Sequence, residues 1–302
     1  MKNLLFTSTL FLIVNFSFAQ TKIDNDLTIK GKVSFFSESD YKLVEKFGEI
    51  EKGSLARKST FKYDVKGNMI EHNLYKADGS LTVKDLLKYD DKGNMIELNR
   101  YNADGSLWCK FTYKYDVKGN KIEENDYKGE GSLLFKHTYK YDEKGNEIEW
   151  NQYSADDGSL NSKSTYKYDE KGNMIEEDYD NGGSLDHKFT YKYDVKGNMI
   201  EKNDYKADGS LLYKHTYKYD EKGNKIEENI YNADGSLLYK TTYKHDDKGN
   251  MIDENFYNAD GSFGFNISKY KYEFDATGNW IKKTSIANDK PKDLTERVIE
   301  YY

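Results

Sequence analysis

Five histidines, His72, His137, His187, His215 and His245, are the side chains best suited to acid–base or metal chemistry in this 302-residue chain. Their spacing gives no His-x-x-x-His pair and no His–Glu pairing of metal type. They are scattered across the chain and read as strand histidines. Carboxylates are abundant, as in Glu123-Glu124, but neighbouring residues on a strand face opposite ways and do not converge on one substrate. The serines follow glycines in turns, with no Gly-x-Ser-x-Gly elbow and no glycine-rich phosphate loop. Each Asp-x-Lys-Gly-Asn turn supplies one Asp and one Asn with a lysine between them, well short of the roughly six to eight oxygens calcium takes. Cys109, the only cysteine, excludes an intramolecular disulfide and reads as a small buried side chain. The expectation is no catalytic set, no cofactor, no metal, and a chain that is not an enzyme.

Aromatic rings are the remaining candidates. The chain holds 28 tyrosines, and rows of them on one sheet either fill its core or stack on sugar rings and peptide side chains. Trp108 and Trp150 break the pattern of their repeat positions, so they are the candidate ligand contacts.

The elements that carry these residues are repeats. Gly-Asn recurs at nine glycines from Gly67 to Gly278, and Gly-Ser at nine from Gly53 to Gly261; together they use 18 of the 23 glycines. The Gly-Ser to Gly-Asn interval is 14 residues except in the last unit, where it is 17, and the usual return is 12. Each interval alternates like a strand, as in Leu211 to Tyr219 and Lys225 to Tyr231. Two strands per 26 residues make each unit an antiparallel β-hairpin.

Both turns, such as Asp220–Gly223 and Asn232–Gly235, open with an Asx side chain and close with glycine. A four-residue loop fits these letters, and so does a three-residue loop closing in a glycine bulge. The four-residue loop is preferred because it puts Ile226 on the face of Leu237, Tyr217 and Tyr219 and leaves Glu227 among threonine and lysine. The other loop would bury a row of carboxylates among tyrosines, a costly arrangement.

The phrase Tyr-x-Tyr-Asp-x-x-Gly-Asn, standing as Tyr113-Lys114-Tyr115-Asp116 with Gly119-Asn120, resembles the YD repeat of RHS proteins over roughly residues 53–283. The ending Gly-Asn-Trp-Ile with "TERVIEYY" is similar to exported repeat proteins of Bacteroidetes. The resemblance implies a long antiparallel sheet wound into a spiral or shell. In RHS toxins that shell encloses a toxic C-terminal domain. Here there is no Asp-Pro-x-Gly motif and no non-repeat cargo domain, so architecture alone is carried over. Choline- and glucan-binding repeats are a looser analogy for aromatic hairpins that hold sugars.

The first stretch, "MKNLLFTSTLFLIVNFSFAQ", reads as a signal peptide: Lys2, an apolar run, then small Ser17 and Ala19 before the cut. Net charge is −7, and loss of Lys2 leaves −8. Opposite charges are interspersed and nothing provides the basic excess that nucleic acid requires.

The sequence thus predicts an all-β antiparallel β-hairpin repeat array of about nine units and about 20 strands, forming one long, twisted or curled sheet. Its expected segments are the signal peptide at 1–19, an entry or capping segment at 20–52, repeats at 53–283 and a capping strand at 284–302. The expected role is a non-catalytic, exported binding or scaffolding module that meets an unknown protein or glycan. It would bind no nucleic acid and keep no integral membrane segment after cleavage. The alternatives are a carbohydrate-binding repeat protein and a relic or accessory of an RHS-type toxin system.

Overall fold

The computed structural model describes residues 20–22, 28–129, 131–287 and 289–302; the signal peptide expected over 1–19 lies outside them. The described residues form β1 (Gln20–Lys22), β2 (Thr28–Lys30), β3 (Val33–Lys46), β4 (Glu49–Tyr63), β5 (Met69–Tyr75), β6 (Leu81–Tyr89), β7 (Met95–Asn102), β8 (Leu107–Tyr115), β9 (Lys121–Lys128), β10 (Ser132–Tyr141) and β11 (Glu147–Ser154). They continue as β12 (Leu160–Tyr168), β13 (Met174–Asn181), β14 (Ser184–Tyr193), β15 (Met199–Lys206), β16 (Leu211–Tyr219), β17 (Lys225–Asn232), β18 (Leu237–His245), β19 (Met251–Asn258), β20 (Phe263–Phe274), β21 (Trp280–Ala287) and β22 (Lys290–Tyr301).

The short β1–β2 pair stands apart, and β3 to β22 form one closed antiparallel barrel of 20 strands. The hairpins and their pairing follow the repeat. The open, twisted or curled sheet does not: β22 pairs with β3 from Asp293–Lys42 to Tyr301–Val33. The chain-end strands expected to cap open edges seal against each other instead. Strand twist accumulates with one hand around a long sheet, and closure satisfies the backbone groups that two edges would leave unpaired.

The turns also differ from the expected loop. Asp220 N donates to Asn224 O at 2.9 Å and Gly223 N to Asp220 O at 3.1 Å, with Gly223 at φ 88°. This is the three-residue loop closing in a glycine bulge, and the left-handed φ explains the glycine. Asp220 Oδ1 accepts from the N–H groups of Lys222 and Asn224, and Oδ2 accepts from Asn224 Nδ2. A second register shift follows at once: Tyr219 pairs with Lys225 and Lys218 with Glu227, so Ile226 falls outside the ladder. The two shifts cancel in parity. Glu227 therefore still sits among lysines, as the cost of a buried carboxylate demands, but Ile226 is exposed rather than on the face of Tyr217 and Tyr219. The opposite turns behave alike, with Leu237 paired to Tyr231, itself across from Lys214 on the lysine face. Gly53-Ser54 is not a turn. Gly53 lies inside β4, where a Cβ would stand 2.7 Å from the Lys42 carbonyl oxygen.

Packed apolar core is scarce. Its cluster, Ile29, Val33, Phe36 and Tyr63 with Phe61, Met69 and Ile299 against it, sits at the closing seam. Asn279 fixes β2 there, accepting from Lys30 N at 2.8 Å and donating to Lys30 O at 2.9 Å.

Candidate functional site

Alternation divides the wall into two faces. One carries Lys214, Thr216, Lys218, Glu227 and Asn229; the other carries Tyr213, His215, Tyr217, Glu228 and Ile230. Side chains converge on a concave wall and splay on a convex one, so the more enclosed face is the inner one. Lys114, Lys192 and Lys218 of the lysine face are about two-thirds exposed. On the tyrosine face the Asp85 side chain is 3% exposed and that of Arg297 is 5% exposed. Tyrosines line the lumen and lysines coat the outside. Sixteen to eighteen strands suffice for an aqueous channel; 20 strands spaced ~4.8 Å and tilted ~40° give a wall about 40 Å across at the backbone.

The outer face repeats almost unchanged. Glu97 is bonded by Lys88 at 2.6 Å and Lys110 at 2.8 Å, Glu123 by Lys114 and Lys136, and Glu227 by Lys218 and Lys240. Hydrogen bonds from the flanking lysines hold Glu97 and Glu123 at a pKa of about 2. Beside them Asn125 and Asn229 bond the same glutamates.

The inner face combines a constant collar with a varied middle. Near the Gly-Asn turns, tyrosine hydroxyls reach back to backbone carbonyls of the preceding hairpin: Tyr89 to Met69 at 2.8 Å, Tyr115 to Met95 and Tyr141 to Lys121 at 2.7 Å. Burial pushes the Tyr115 phenol up to about 12. Beyond the collar the residue facing each middle tyrosine changes from unit to unit: Glu124, Trp150, Glu177, Lys202, Glu228 and Glu254.

Local networks follow from these changes. Lys121 bonds Glu124 at 2.7 Å and lies over the Tyr139 ring, whose hydroxyl donates to Glu124. Lys225, Glu228 and Tyr243 repeat that arrangement. Arg100 holds Asp85 through two bonds of 2.7 and 2.9 Å, with His72 at 3.1 Å. Desolvation works against Asp85 ionisation, but the His72 and Arg100 bonds outweigh it and lower its pKa. Desolvation dominates at Glu147, raising it to about 7, with Lys121 opposing and Glu177 assisting.

All five histidines lie on this inner wall, and four meet carboxylates. His137 is 3.2 Å from Asp126, His187 is 2.9 Å from Asp204, and His215 is 3.6 Å from Glu228; His72 completes the set. Their shared parity with the tyrosines was visible in the sequence, but their acidic partners lie on other strands. Among the described residues no group of three His, Cys, Asp or Glu side chains could hold a metal ion. Cys109 is free and partly buried, and burial raises its thiol pKa.

The structure does not bring the two candidate tryptophans together. Trp108 is the residue left outside the β7–β8 ladder and is 52% exposed near a rim. Trp150 lies on the inner wall opposite Tyr139, stacked on His137 with centroids 5.5 Å apart. Its partner on the other side is Ser164, a small buried residue that makes room for the indole.

No protein-family model and no curated protein matches this chain. Solved structures similar to it include the TcdB2-TccC3-Cdc42 toxin complex, at 13% identity and TM-score 0.33, covering 83% of this chain and 18% of that one. A porin-like protein from Bacteroides uniformis matches at 11% identity and TM-score 0.35, covering 89% of this chain and 98% of that one. One from Bacteroides vulgatus matches at 14% identity and TM-score 0.31 with the same coverage. This chain spans about a fifth of the toxin chain. Likenesses this distant leave the functional reading to the residues themselves.

Proposed function

We propose that this chain is a non-catalytic, exported binding module of the cell envelope or extracellular space whose contact surface is the inner wall of the barrel. The observation that carries the reading is where the units differ. Outside, the Lys–Glu–Lys ion pairs recur from hairpin to hairpin; inside, equivalent positions switch among Glu, Lys, His, Leu and Trp. Packing dictates the constant positions, and the varied ones are free to meet a ligand. The charged outer belt suits water, since a membrane-spanning barrel turns an apolar band outward.

Carbohydrate is the ligand class we favour. Aromatic rings and carboxylates line one stretch of wall, where Trp150 on His137 stands beside Tyr139, Tyr166, Glu147 and Glu177, and ring faces with nearby acceptors suit sugars. A glycan array probed with the mature protein tests this. Binding that Trp150→Ala removes and Trp108→Ala leaves intact supports the lumenal site. Equal loss in both variants, with folding intact by circular dichroism, contradicts it.

A further inference from the structure

A cradle of two tyrosines and a glutamate recurs along the inner wall. On β9, Glu124 faces Tyr113 and accepts from the Tyr139 hydroxyl at 2.8 Å. On β17, Glu228 faces Tyr217 and accepts from the Tyr243 hydroxyl at 3.3 Å. In both, an ammonium group of the chain itself fills the cradle. Lys121 lies 5.5 and 4.3 Å from the two ring centroids and 2.7 Å from Glu124. Lys225 lies 5.7 and 4.8 Å from its two rings and 2.8 Å from Glu228. Cation–π attraction and a charge-assisted hydrogen bond act together there.

Strand β13 builds the same cradle without the lysine. Glu177 faces Tyr166 and accepts from the Tyr191 hydroxyl at 3.0 Å. Met174, paired with Tyr168, stands where Lys121 pairs with Tyr115 and Lys225 with Tyr219. The adjacent Lys202 lies over Phe189 at 4.5 Å and is 5.9 Å from the Tyr191 ring. Glu147 on β11 flanks the cradle from the other side of β12. Burial, and then the charges of Glu147 and other carboxylates including Glu177, push the Tyr168 phenol up to about 12. Among the described residues neither Glu147 nor Glu177 has an ion pair. The cradle at Glu254 also has a methionine, Met251, but Lys225 lies over its Tyr243 and Lys283 over its Tyr270. Around Glu177 a second carboxylate takes the place of such a flanking lysine.

We propose that this cradle binds the ammonium group of an amino sugar, held against Glu177 between the Tyr166 and Tyr191 rings, with Glu147 balancing its charge. The proposal rests on the carbohydrate reading above and adds a charge to the ligand. The two filled cradles show the chemistry that this arrangement accepts. A neutral sugar would leave both carboxylates without a counter-charge, which burial makes costly. The neighbouring Trp150 is the platform for the ring.

Isothermal titration calorimetry of the mature chain at about pH 6, below the range in which amino groups titrate, compares a glucosamine hexamer with the same hexamer N-acetylated. The wild type should bind the glucosamine hexamer about tenfold more tightly. Met174→Lys copies the filled cradles and places a tethered ammonium in the site, so it should erase that preference. Glu177→Gln removes the counter-charge and should do the same, whereas Met174→Leu should keep the preference. Equal binding of the two hexamers by the wild type would overturn the ammonium site and leave the carbohydrate reading standing. Failure of both hexamers to bind would overturn the two together. A preference that survives Met174→Lys and Glu177→Gln places the amine elsewhere and overturns the proposal. So does cadaverine binding as tightly as the glucosamine hexamer, because a plain amine would then suffice.

Discussion

Replacing Glu123 with glutamine tests whether the outer belt of ions holds the barrel. Glu123 accepts from Lys114 at 2.7 Å and Lys136 at 2.9 Å, joining three consecutive strands. Its pKa falls from 4.5 to about 2 on folding, which sets a ceiling of roughly 3.4 kcal/mol at 1.36 kcal/mol per unit. The Lys114 side chain is two-thirds exposed, so solvent screening brings the expected contribution to about 1 kcal/mol. The folded pKa is depressed, so this stability is present above the unfolded pKa and is lost as pH falls from about 5 toward 2. Five other glutamates, Glu71, Glu97, Glu149, Glu201 and Glu227, sit at about 2 in the same setting. In Glu71, Glu201 and Glu227 desolvation pulls upward and the hydrogen bonds overcome it. Together the six contribute ~6 kcal/mol, comparable with a typical net stability of about 5–15 kcal/mol. Urea unfolding of wild type and Glu123→Gln at pH 7, 5 and 3.5 should show a difference of about 1 kcal/mol that shrinks with acid, and a wild type that by pH 3 has lost roughly half of the ~6 kcal/mol the six glutamates contribute. A difference that is constant across this range would refute the ion-pair account.

Two further substitutions probe the turns. Asp116→Ala removes a carboxylate that accepts from Lys118 N, Asn120 N and Asn120 Nδ2 at 2.8–2.9 Å; a loss of about 1–2 kcal/mol in denaturant unfolding is expected, and a change near zero would show that glycine alone sets the turn. Phe47→Asn places a residue tolerant of the left-handed region at φ 54° and should raise the melting temperature through a gain of about 1 kcal/mol, whereas a lower value would mean that Phe47 makes a stabilising contact.

The hairpins were legible because glycine, Asx and alternating tyrosines mark them locally. Closure was not, because the pairing of Val33 with Tyr301 depends on twist summed over 20 strands. Ile226 was misplaced for a different reason: two one-residue shifts cancel, so the face of Glu227 is right under either loop and only the residues between the shifts reveal the difference. Gly53 carries the same Gly-Ser letters as the turns but answers to the Lys42 carbonyl. Of the two tryptophans, Trp150 reached the lumen by the parity it shares with Glu124 and Glu228, while Trp108 fell in a register shift that alternation cannot foresee.

Ring closure is the claim on which the lumen depends. Ser37 and Val298 are directly opposed across the β3–β22 seam, a separation that a disulfide can span. With Cys109 changed to serine, cysteines at 37 and 298 should oxidise to an intramolecular cross-link in the folded monomer. An open sheet would leave both thiols free or link only separate molecules, and that result would contradict the closed barrel.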